Sequence, residues 1–240
     1  MAAMLAVVYH KVKRAHVASY RMLDEIDGVR KEVGWLYAEI QALLALERLL
    51  GLEKPLPPLR GWAGSPDFLL VLANAVLERK PSVVVECGSG SSTLVIARCL
   101  ERNGRGHVYS MDHDATYAQR TRDLLARHGL STRATVLTAP LETRTATGET
   151  WYRDDALPAD LAPIELLVVD GPPAMLGRMM RAPAFPRLRS RAAPGLVIVI
   201  DDADRPDERA MVDDWCRMEP SFVKSVEAAE KGLVLLERRG

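Results

Sequence analysis

Two glycines with one acid before them and another further along form the first group of residues able to do chemistry. In Val85-Glu86-Cys87-Gly88-Ser89-Gly90-Ser91-Ser92-Thr93, Gly88 and Gly90 permit a tight turn and let a ligand approach backbone N–H groups that open a helix. Asp112 lies 22 residues beyond Gly90, close to the spacing at which an acidic side chain takes ribose hydroxyls. These are the two halves of a nucleoside pocket. A dinucleotide fingerprint G-x-G-x-x-G would want glycine at position 93, where Thr93 stands, and this weakens a nicotinamide reading. The second group is acidic: Asp170, ahead of Gly171-Pro172-Pro173, and the pair Asp201-Asp202. Three uncompensated carboxylates at one rim repel unless protons or a cation neutralise them, and oxygen donors suit a hard ion such as Mg²⁺.

The elements that must bring these residues together are legible as short branched runs: 83–86, 108–111, 134–138, 166–170 and 196–201. Continuous apolar runs suit strands buried on both faces, and the helical segments 92–102, 115–128 and 206–218 make crossovers between parallel strands. Segments 222–228 and 233–238 flank Glu230-Lys231-Gly232 as a closing antiparallel hairpin. The expected fold is α/β: a Rossmann-like, doubly wound, mostly parallel seven-stranded sheet with an antiparallel C-terminal hairpin. In such a sheet ligands sit beyond the carboxyl ends of the strands, where both groups fall.

Ahead of this domain lies an N-terminal helical region. Met22, Ile26, Val29, Val33, Leu36, Ile40 and Leu43 form a heptad stripe within 8–50, read as a long helix or helix pair that braces the main domain or associates with a second copy. A Pro/Gly-rich connector follows, so the boundary is placed between 1–64 and 65–240. Ser65-Pro66-Asp67 then opens a helix to about Arg79, with serine as its cap.

Composition narrows the classes of function. Lys plus Arg and Asp plus Glu are each 32, so nothing draws the chain to polyanions, and aromatics at 5% argue against a base-stacking surface. Nucleic acid is not expected as a partner. The longest uncharged apolar stretch, 68–77, falls well short of the roughly 18 residues of a membrane span. Three cysteines without a C-x-x-C pair favour a reducing cytoplasm, and the basic residues after the apolar 1–9 are in the wrong order for an export signal.

Glu86-x-Gly88-x-Gly90 resembles the glycine loop of class I S-adenosylmethionine (SAM)-dependent methyltransferases, and the resemblance runs from about Ser82 to the end of the chain. It implies SAM as cofactor, with Glu86, Gly88, Gly90 and Ser92 around the methionine portion and Asp112 at the ribose hydroxyls. It also implies His113, Pro140 and Leu141 near the adenine and Asp170 facing the reaction centre. Asp170-Gly171-Pro172-Pro173 with Ile200-Asp201-Asp202 is similar to catechol-type and macrolide-sugar O-methyltransferases, where a divalent ion holds the acceptor hydroxyl. That likeness implies a small-molecule acceptor, catalytic roles for Asp170 and Asp202, and Mg²⁺ on Asp170, Asp201 and Asp202. One departure stands out: those relatives often place lysine or histidine three residues after the fourth-strand aspartate, where this chain has Pro173. Alternatives are a metal-independent N-methyltransferase and a noncatalytic partner subunit assembling as a homodimer through the N-terminal helix.

Other residues carry plainer readings. Arg178, Arg181, Arg187, Arg189 and Arg191 read as a solvated basic face or a grip on an acidic acceptor. Trp151-Tyr152 lies in an irregular stretch and either roofs the acceptor pocket or simply packs. Asp204, Asp207 and Glu208 suit the start of a helix and stay outside the site. Cys87 reads as a small buried residue, since no base is paired with it.

Overall fold

A computed structural model of the chain describes residues 2–59, 61–153 and 155–239. The chain divides into two compact units, Met1–Gln41 and Ala42–Gly240. The N-terminal region is one continuous helix, α1 (Ala2–Leu50), not a pair. Its stripe is not a buried face: Met22, Ile26, Val29, Val33, Leu36 and Ile40 are 47–62% exposed. In the last turns, Leu46 and Leu50 are buried and join Phe68, Leu69 and Leu72 of α2 (Pro66–Arg79) in one apolar cluster. Arg98 donates to the carbonyls of Leu50 and Gly51, both at 2.9 Å, satisfying acceptors that a helix C-terminus leaves orphaned.

The larger unit is built on a seven-stranded sheet. Its first strands are β1 (Val83–Cys87), β2 (His107–Asp112) and β3 (Ala134–Thr138). Two short strands outside it, β4 (Leu141–Thr143) and β5 (Thr150–Tyr152), pair with each other, and the sheet resumes with β6 (Ile164–Val169), β7 (Ala192–Ile200), β8 (Phe222–Glu227) and β9 (Leu233–Arg238). The order is β3-β2-β1-β6-β7-β9-β8, parallel as far as β7, with β9 antiparallel to β7 and β8 antiparallel to β9. The order reverses between β1 and β6, which opens a crevice above those two strand ends. Helices α3 (Ser91–Arg102), α4 (Ala115–Arg127), α5 (Ala184–Leu188) and α6 (Pro206–Met218) cover the faces. Alternation along β1 sends Val84 into one core with α2, α3 and α4, and Val83, Val85 and Cys87 into the other with Phe185 and Trp215. Glu86, on the Val84 side, therefore points under α3.

Three local expectations need correction. Ser65 caps α2 by position only: its hydroxyl donates to Asp67 Oδ1 (2.5 Å), and that carboxylate accepts from the Phe68 N–H (2.7 Å). The stretch around Trp151-Tyr152 is not irregular, because β4 and β5 form a small antiparallel hairpin that buries both aromatics. Strand β7 starts at Ala192, ahead of the expected start at Leu196. Its register against β6 shifts between the Ile164–Ala192 and Leu166–Val197 pairs, around Pro194 and Gly195.

Candidate active site

The glycine turn after β1 is packed against the turn after β6. Gly88 has φ +99°, and a Cβ there would lie 3.4 Å from the Asp170 carbonyl carbon and oxygen. A Cβ at Gly171 would come within 3.0 Å of the Gly88 backbone and 2.8 Å of the Tyr152 hydroxyl. Glycine is required at position 88 by its positive φ and at position 171 by the close approach of the two turns. Beyond Gly90 the space is open, with nothing within 4 Å of where its Cβ would stand.

Thr93 replaces a third glycine with a relay. The Gly90 N–H donates to its hydroxyl (3.0 Å), which donates to Glu86 Oε2 (2.6 Å). The Ser110 hydroxyl also donates to that oxygen at 2.6 Å. Glu86 is fully buried, and desolvation outweighs these donors and pushes its pKa up to about 7. Its other oxygen, Oε1, is buried with no partner among the described residues, as is the Ser91 hydroxyl.

Asp112, at the end of β2, is nearly buried and held on both oxygens. Ser89 donates to Oδ2 (2.5 Å) and the Asp114 N–H to Oδ1 (3.0 Å), while His113 Nδ1 lies 3.6 Å from Oδ1. Sequence reasoning missed Ser89; its place between the two glycines was the available signal. The Ala139 N–H donates to the Asp112 carbonyl (2.7 Å), which fixes Pro140 and Leu141 beside the same strand end. Trp62 of the connector stacks on Tyr117 at the start of α4, with centroids 6.5 Å apart.

The acidic group assembles as expected: Asp170, Asp201 and Asp202 each bring an oxygen within 4.8 Å of the others. It is not uncompensated. Arg181, read from sequence as part of a solvated basic face or of a grip on an acidic acceptor, is 4% exposed and sits inside the cluster. Its Nη2 donates to Asp202 Oδ2 (2.8 Å), Asp170 Oδ1 (3.3 Å) and the Asp170 carbonyl (3.1 Å). Nη1 donates to the Asp201 carbonyl (3.0 Å) and Nε to that of Pro172 (3.4 Å). Arg205 pairs with Asp202 at 2.9 Å. Glu208, placed outside the site by its helix-start position, is buried within 4.0 Å of both guanidinium groups. Burial first, then the neighbouring carboxylates, raise Asp170 well above the usual carboxylate range and Asp201 to about 6. Asp201 Oδ1 has no partner among the described residues.

Asp170, Asp202, Arg205, Lys231, Trp62 and Met175 line a cavity of about 310 Å³. A larger depression of about 580 Å³ lies between the β4–β5 turn and α6, and none of the acids above lines it. The smaller one is the chemically equipped site. Tyr152 packs into the core and is not among the residues lining the smaller cavity, and its buried hydroxyl, which has no partner among the described residues, lies against the Gly88–Gly171 contact.

Residues 85–203 match a family model described as a methyltransferase domain. No curated protein matches the chain at a significant level. Among solved structures, an O-methyltransferase from Streptomyces achromogenes involved in tomaymycin synthesis, in complex with SAM, is 18% identical, covering 85% of this chain and 90% of its own, with a TM-score of 0.54. An O-methyltransferase from Bacillus cereus in complex with S-adenosylhomocysteine (SAH) is 17% identical over 83% and 91%, TM-score 0.55. An SAH-bound methyltransferase from Podospora anserina is 13% identical over 83% and 88%, TM-score 0.59. These likenesses show a common fold, and with the domain match over the strands that carry the glycine turn and the acidic cluster, the chain belongs to the class I SAM-dependent methyltransferases.

Proposed function

We propose that this methyltransferase acts on a hydroxyl oxygen of a small molecule held in the 310 Å³ cavity. One observation carries the reading: the Asp170 backbone packs on the glycine turn while its residue also lines the cavity, so a single position joins the cofactor side to the acceptor side. The cofactor fits the residues present. Glu86 Oε1 and Ser91 Oγ are buried polar atoms awaiting partners, and the glycine turn leaves room for close approach. Glu86, Gly88, Gly90 and Ser92 would surround the methionine portion, Asp112 the ribose hydroxyls, and His113, Pro140 and Leu141 the adenine.

When bound, SAM supplies an electrophilic methyl group on a sulfonium. The chain's own part is orientation and proton transfer. Asp170 Oδ1 is held by Arg181, which leaves Oδ2 to take the acceptor's hydroxyl proton as that oxygen gains the methyl. Its raised pKa makes it a stronger base than a solvated aspartate, and Asp202 steadies the guanidinium behind it. Asp170 thus supplies the base that Pro173 does not. A divalent ion is a poor fit: the trio has the right oxygens, but a buried guanidinium already bridges Asp170 and Asp202. No step is therefore assigned to a metal.

The catalytic domain of this reading is 65–240. The exposed stripe on α1 favours pairing of two copies through their N-terminal helices, and three unpaired cysteines favour a cytoplasmic location. Among the described residues no helix is long and apolar enough to cross a membrane. The test of function is conversion of SAM to SAH across a panel of phenols, catechols and aliphatic alcohols, with amines as the contrasting class. Turnover on hydroxyl acceptors is the expected result, and turnover on amines alone would overturn it.

A further inference from the structure

Four carboxyl groups, those of Asp170, Asp201, Asp202 and Glu208, crowd the ends of β6 and β7 and the start of α6. Arg181 is the cation at their centre. A buried guanidinium is tolerated only when its donors are used, and Arg181 spends them on three backbone carbonyls and two carboxylates drawn from both strand ends. Its neighbours in the same basic run show the contrast. The Arg178 side chain is 88% exposed, whereas Arg181 lies at 4%. Asp202 adopts φ +59°, a left-handed backbone that presents Oδ2 to Arg181 and Arg205 together. The Nη2 group lies between Asp170 and Asp202, in contact with both carboxylates, and a second cation on the same trio would be repelled by it across a few ångströms of buried space.

We infer that Arg181 is the resident cation of this cluster and takes the place of a divalent ion. It neutralises the carboxylates, ties the β6 and β7 ends together and holds Asp170 Oδ1, so that the site works without metal. Arg181 is a positioning residue, acting through Asp170. Occupancy of the cluster by Arg181 does not depend on which acceptor the enzyme uses.

The experiment is a titration of metal-stripped protein with Mn²⁺, followed by electron paramagnetic resonance, for the native chain, Arg181→Gln and Arg181→Lys. The native protein is expected to show no stoichiometric Mn²⁺ site up to millimolar ion. Arg181→Gln leaves the carboxylates without their cation and should tighten Mn²⁺ binding by at least about tenfold, and Arg181→Lys, which keeps the charge, should not. A native Mn²⁺ site that vanishes in Asp170→Asn would overturn the inference, as would a folded Arg181→Gln protein that binds no more Mn²⁺ than the native chain. If Arg181→Gln does not fold, the native protein and Arg181→Lys decide: no site in either supports the inference, and a site in either overturns it. SAM binding measured on the native protein keeps the two ideas apart, since a native chain that binds no SAM would sink methyl transfer while leaving the Mn²⁺ result intact.

Discussion

Replacing Glu86 by glutamine should change how stability depends on pH, by an amount the site itself sets. Glu86 is fully buried and its pKa is pushed from 4.5 to about 7, chiefly by desolvation. The native state therefore binds its proton more tightly than the unfolded chain does. Its contribution to stability is complete below pH 4.5 and is lost as the pH rises through about 7. At about 1.4 kcal/mol per pKa unit, the native protein should lose roughly 2–3 kcal/mol from this group between pH 5 and pH 8, a loss the uncharged Glu86→Gln side chain cannot show. Urea unfolding of both proteins without cofactor, at the two pH values, isolates the effect as a difference of differences. The gap between the variant and the native chain should move by that amount in the variant's favour. An unchanged gap would mean that Glu86 ionises as freely in the fold as in the unfolded chain, and the burial argument would fail.

Asp170→Asn should lower the rate of methyl transfer by about 10²–10³-fold while leaving SAM affinity within a few-fold, since only the proton acceptor is removed; steady-state kinetics beside calorimetry separates the two. Gly171→Ala drives a methyl group to 2.8 Å from the Tyr152 hydroxyl and should cost about 1–3 kcal/mol on thermal melting, with weakened SAM binding as the strand ends part. Val29→Glu with Val33→Glu, on the exposed stripe of α1, should convert a dimer to a monomer in light scattering and leave SAM binding unchanged.

What the sequence made legible follows from where the forces are local. Buried parallel strands need uninterrupted branched runs, so β1, β2, β3, β6 and the closing hairpin stood out, and α6 begins at Pro206 as its start signal indicates. The glycine turn was visible because close backbone approach leaves few residue choices, and the structure brings Gly88 and Gly171 together for that reason. The β4–β5 hairpin was hidden: three-residue strands are too short to display a period, and only packing of Trp151 and Tyr152 into the core fixes them. Arg181 was hidden for a different reason. In the run Arg178–Arg191 no local pattern separates a buried arginine from exposed ones, because what buries it is the carboxyl excess at two distant strand ends. That excess was itself in the sequence, and it required a cation that the chain supplies from the loop after β6.

Whether the crevice above β1 and β6 holds SAM decides most of the rest, and calorimetric titration of metal-stripped protein with SAM and SAH, with NAD as the contrasting ligand, addresses it without knowledge of the acceptor. One site per chain at micromolar strength, roughly −8 kcal/mol, is expected for both sulfur nucleosides, with none for NAD and no change on adding Mg²⁺. Absence of binding by SAM and SAH, or preference for NAD, would show that the glycine turn and Asp112 serve some other ligand or none.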